Sequence, residues 1–106
     1  MLTLLVDEAY AFDYLAILRV KLSPLAVDTA NHIKDQIGVD LFDRIVDSPE
    51  FHSMYQANLD VFEAVEHARY GKISAKELDN ANMERHYAKQ ALQKAFFNNE
   101  LTEKKT

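Results

Sequence analysis

Three polar residues near the C-terminus, Asn82, Arg85 and Lys89, recur at spacings of three and four. On a helix such spacings share one face. Leu78, Ala81, Arg85, Ala88, Leu92 and Phe96 fall there in a stripe roughly 80° wide, with Asn82 and Lys89 at its edge. A guanidinium buried alone is very costly, so Arg85 needs a carboxylate and hydrogen bonds. The segment from Phe51 to Tyr70 behaves similarly. Phe51, Met54, Tyr55, Phe62 and Val65 mark its apolar face, yet Asn58 and Arg69 share that face and Glu66 flanks it. A third segment, Tyr10 to Val20, is nearly apolar all round but contains Asp13, with Lys21 just beyond it. Asp13 and Glu66 are the acids on facing surfaces. A polar seam drawn from Asp13, Asn58, Glu66, Arg69, Asn82, Arg85 and Lys89 is therefore expected between these three helices.

The seam has two readings. It fixes helix register, with its long side chains snorkelling to solvent at the bundle ends; or it is a pocket for a small anion. In the second case Arg69 and Arg85 grip a phosphate or carboxylate through paired donors, with Lys89 beside them. A nucleotide or sugar phosphate would suit such a pocket, and Mg²⁺ held by Glu63 and Glu66 would make it catalytic. Glu63 and His67, four apart, can also reach one ion. The Glu-x-x-His pattern of di-iron bundles is absent, however, and His67 and His86 fall on polar faces. No metal or cofactor is expected outside the magnesium reading.

Other chemistries find little support. The chain has no cysteine, which excludes disulfides, thiolate metal sites and a cysteine nucleophile. Ser23, Ser48 and Ser74 read as helix punctuation, and there is no G-x-S-x-G elbow. Two isolated glycines cannot build a phosphate-cradling loop.

The elements that must position the seam follow from the punctuation. At 106 residues, with two Gly and two Pro, the chain is one domain of a few long elements joined by short connections. Asp7 is a plausible N-cap for a helix over 8–22, ended by Ser23-Pro24. A second helix runs 24–37 and stops at Gly38, followed by a short turn of helix over 40–46. Ser48-Pro49-Glu50 opens a helix over 49–70, closed by Gly71. Ser74-Ala-Lys-Glu77 is a capping box that opens the last helix, 75–98. The five residues LTLLV at the start read either as an extended arm that docks on a neighbour or as a frayed first turn. The fold class predicted is all-α: a compact bundle of four main helices plus one short connecting helix.

Charge narrows the partners. The chain carries −5 overall, with five Lys/Arg against twelve Asp/Glu in residues 1–70 and seven against five in residues 71–106. Bulk acidity argues against nucleic acid, whose binding rests on phosphate neutralisation. The apolar run before Asp7 is too short for a signal peptide or a membrane span, so a cytoplasmic location is expected. Met83 and Tyr87, four apart and opposite the apolar stripe, together with Tyr70 at the end of its own helix, are candidate interface residues. They suggest a homo-oligomer, and for a small acidic domain with a basic end a homodimer is expected.

The two ends of the chain resemble a family of small uncharacterised helical domains. The motif D-x-x-x-I-L-x-x-K is matched by Asp13, Ile17, Leu18 and Lys21. Asn82-x-x-Arg85-x-x-x-Lys89, followed by Glu103-Lys104, is similar to that family's closing motif. Some members are encoded near glycan-biosynthesis genes, and the resemblance implies a helical fold but no activity. Glu63-x-x-Glu66 and Glu77-x-x-Asn80 also resemble the carboxylate quartet of all-α nucleoside triphosphate pyrophosphohydrolases, with Asn80 where a fourth acid would stand. The leading expectation is a non-catalytic, self-associating helical interaction module; the alternative is a small-anion binder or Mg-dependent nucleotide hydrolase.

Overall fold

A computed structural model describes residues 7–98; the N-terminal LTLLV run and Glu103-Lys104 lie outside the described residues. Five helices follow in order: α1 (Glu8–Val20), α2 (Leu25–Ile37), α3 (Val39–Val46), α4 (Pro49–Arg69) and α5 (Ala75–Phe97). The all-α expectation holds, and no strand occurs among the described residues. α4 and α5 form an antiparallel hairpin, and α1 lies against both of them. α2 packs on α1 and α3, and α3 closes back on α4. No helix among the described residues is long and apolar enough to cross a membrane.

Phe12 of α1 sits at the centre. It is fully buried, with the Phe42 ring tilted against it at 5.8 Å and the Phe51 ring edge-on at 6.2 Å. Ala9, Leu15, Ala16, Ile45, Met54 and Leu92 complete the core around it. This explains why α1 is apolar on nearly every side: three neighbouring helices cover it.

The caps account for the boundaries. Ser48 and Ser74 each accept a hydrogen bond from the backbone N–H three residues on, Phe51 at 3.1 Å and Glu77 at 3.2 Å. Gly71 takes φ +71° at the end of α4, where Lys72 N–H bonds the His67 carbonyl at 2.8 Å and Gly71 N–H bonds Ala68 at 3.0 Å. That is a Schellman closure with glycine in its left-handed position.

Several boundaries differ from the sequence reading. α2 starts at Leu25 because Pro24 serves as its cap residue, and Ser23 Oγ accepts from Leu25 N–H at 3.2 Å. α3 begins at Val39, and α4 and α5 end one residue early, at Arg69 and Phe97. The larger change is at α1, which ends at Val20 rather than Leu22. Its closure repeats the Schellman pattern, with Ser23 N–H on the Leu18 carbonyl at 2.9 Å and Leu22 N–H on Arg19 at 3.1 Å. Here the left-handed position is filled by Leu22, at φ +53° and 89% exposed.

A β-carbon in that conformation costs about 1–2 kcal/mol, and the exposed leucine side chain recovers little of it. Glycine removes the clash but loosens the unfolded chain. Leu22→Gly is therefore expected to stabilise the protein by about 0.5–1 kcal/mol, read from the urea-unfolding midpoint.

Candidate functional site

The seam forms around one carboxylate. Asp13, only 3% exposed, projects from α1 towards α4 and α5. Its Oδ1 accepts from Asn58 Nδ2 at 2.7 Å and from Arg85 Nε at 3.2 Å. Its Oδ2 accepts from an Arg85 terminal nitrogen at 2.7 Å and lies 3.6 Å from Lys89 Nζ. Arg85 thus grips Asp13 side-on through two nitrogens, the geometry in which a guanidinium–carboxylate pair is strongest.

Each donor is held in turn. Asn58 Nδ2 also donates to the Met54 carbonyl of its own helix at 3.1 Å, which fixes the amide orientation. Lys89 Nζ stands 4.2 Å from the centroid of the Tyr10 ring, so the electron-rich face shares its charge. Two cations meet one buried anion, and the excess is relieved where the Arg85 side chain stays 27% exposed.

Sequence reasoning missed Gln93, one further turn along the same face of α5. It is fully buried. Its Oε1 accepts the Ala9 N–H at 2.8 Å and its Nε2 donates to Glu8 at 2.9 Å. Gln93 therefore serves the open N-terminus of α1, where Asp7 makes no side-chain cap bond. Arg85, Lys89 and Gln93 form a ladder that runs antiparallel to Asp13, Tyr10 and Ala9. The spacing of four continued from Lys89 was the available signal.

Of the expected seam, Asp13, Asn58, Arg85 and Lys89 come together, and the other three residues do not join them. Asn82 Nδ2 donates to the Leu78 carbonyl of its own helix at 3.2 Å. Arg69 and Glu66 form a surface pair at 3.6 Å, with side chains 65% and 40% exposed. Arg69 is thus not a buried guanidinium, and Glu66 makes no bond to Arg85. Arg69 lies in the last turn of α4, 11 residues past Asn58, whereas α1 continues only 7 residues past Asp13, so that turn runs beyond the end of α1. Phe62 and Val65, expected in the core, lie beside Ile17 and Val20 yet are 45% and 42% exposed.

They line a groove of about 350 Å³ between the end of α1 and the second half of α4, with Arg69 and Arg85 on its rim. A second cleft, about 330 Å³, lies between α1 and α2.

Glu63 and His67 are both exposed on α4, and no group of three or more His, Asp or Glu is assembled for a metal among the described residues. His86 is half-buried rather than on a polar face, and its Nδ1 has no hydrogen-bond partner among the described residues. Tyr70, Met83 and Tyr87 are 70%, 39% and 59% exposed. Phe97, by contrast, packs on the core. No protein-family model, curated protein or solved structure matches the chain.

Removing one partner of a buried ion pair leaves the other charge uncompensated. Asp13→Ala is expected to lose about 3–5 kcal/mol by urea unfolding. The triple variant Asp13→Leu/Arg85→Met/Lys89→Met is expected to recover most of that loss, because no charge is left buried.

Proposed function

We propose that the chain is a non-catalytic helical interaction module that self-associates through the outer face of α5. The observation that carries this reading is the Met83–Tyr87 pair. These residues are exposed, one turn apart, on the side of α5 opposite buried Leu92. Tyr70 adds a further exposed aromatic at the end of α4. A self-complementary dimer contact places such an apolar centre against its own copy, inside a polar rim. Lys76 and Lys94, exposed on the same helix, would supply that rim.

In this reading the seam is structural. Both oxygens of Asp13 are occupied by donors from within the chain, and Arg69 pairs with Glu66. Lys89 is turned into the seam, away from the groove that Arg69 and Arg85 line, so the three cations are not gathered for a nucleotide or sugar phosphate and its magnesium chemistry. The residues behind the family resemblance fit the same account. Asp13 of the opening motif meets Arg85 and Lys89 of the closing motif, so the two ends would be one structural device. A cytoplasmic setting belongs to the same proposal and rests on the acidic, cysteine-free sequence.

Sedimentation equilibrium tests the reading. The wild type is expected at twice the chain mass at tens of micromolar, and Met83→Glu/Tyr87→Glu at the chain mass with an unchanged melting temperature. A monomeric wild type at a hundred micromolar, or a double variant that still dimerises, would sink it.

A further inference from the structure

The groove at the end of α1 combines two properties. Its floor is apolar, formed by Ile17 and Val20 of α1 and by Phe62 and Val65 of α4. Lys21, Arg69 and Arg85 line it as well, against Glu66 and the Asp13 carboxylate that Arg85 holds, which leaves a positive balance. In a chain of net charge −5, positive charge gathered around exposed hydrocarbon is a local reversal. Arg85 binds Asp13 through Nε and one terminal nitrogen. Its other terminal nitrogen carries two more N–H donors on a side chain that still reaches solvent. Arg69 is 65% exposed and, among the described residues, is held by a loose 3.6 Å pair with Glu66 of its own helix.

We propose that this groove binds a free alkyl carboxylate, its unbranched tail on Phe62 and Val65 and its head between Arg69 and Arg85. The sign of the rim selects the anionic head, and the apolar floor selects the tail. A cavity of about 350 Å³ lies within the range of small-molecule sites. It follows α4 from Asn58 to Arg69, about 16 Å at the helical rise, which suits one extended chain. This site is separate from the Met83–Tyr87 face.

The test is an amide NMR titration of the full chain with decanoate, kept below its micelle concentration. Saturable shifts are expected at Val20, Lys21, Phe62 and Val65. Decanol, which lacks the charge, is expected to bind about tenfold or more weakly, as loss of a charge-assisted hydrogen bond implies. Arg69→Glu is expected to weaken decanoate by a similar factor, and Phe62→Asp to abolish binding with the melting temperature unchanged. Because Arg69 is exposed, its variant keeps the test decisive even if Phe62→Asp unfolds.

Four results would overturn the proposal. The first is no saturable shift, and the second is equal binding of decanol. The third is shifts confined to the α1–α2 cleft. The fourth is a Phe62→Asp protein whose sedimentation mass falls to that of a monomer, which would show that a second copy covers the groove.

Discussion

The arrangement of this bundle depends on the carboxylate of Asp13. A buried carboxylate has to be met by donors, and here they come from two helices: Asn58 on α4, and Arg85 and Lys89 on α5. Apolar packing alone tolerates sliding and rotation of one helix over another, since hydrocarbon contacts have no direction. A side-on guanidinium does not. Once Arg85 and Asp13 are in register, Tyr10 lies under Lys89, and Gln93 arrives at the N-terminus of α1. These polar contacts along one helix pair then select one alignment from the several that the apolar stripe allows.

This device acts on specificity more than on stability. Desolvating three charges costs roughly what their attraction returns, so a hydrocarbon core of equal volume would hold the helices as firmly. The stabilisation comes instead from Phe12 and the residues packed around it. The two systems are adjacent in sequence: Phe12 and Asp13 sit side by side on α1 and point roughly 100° apart. One faces α3 and the start of α4, and the other faces the α4–α5 hairpin. α1 thereby joins the two halves of the molecule.

Much of this was legible in the sequence, and the failures have definite causes. Ser48, Ser74 and Gly71 were readable because a cap is a local event, decided by a hydroxyl or a missing β-carbon. Arg85 and Lys89 were readable because a charge inside an apolar stripe contradicts its surroundings. Gln93 escaped because an uncharged amide at a helical spacing contradicts nothing. Phe62, Val65 and Arg69 were misplaced because periodicity names the inward face of a helix but not how closely its neighbour follows it or where that neighbour ends. Leu22 was unreadable for a different reason. Leucine has no preference for the left-handed conformation, and here it is held there by the closure onto the Leu18 and Arg19 carbonyls. The carboxylate quartet suggested by Glu63, Glu66 and Glu77 concerned spacing along the chain, whereas a metal site needs convergence in space.

The bond from Gln93 to Ala9 spans 84 residues, nearly the whole described chain. Contacts so distant along the chain are slow to form, because closing a long loop costs entropy before any contact repays it. They also have an order in time when the chain is made from its N-terminus. α1 leaves the ribosome before the other four helices, apolar on almost every side and with its carboxylate still without Arg85 and Lys89. α2, α3 and α4 can cover part of the hydrocarbon as they emerge, and Asn58 can reach Asp13. Arg85, Lys89 and Gln93 come last. Until α5 is released the first helix remains a half-finished interface, and the nascent chain depends on finishing synthesis before another chain finds that surface.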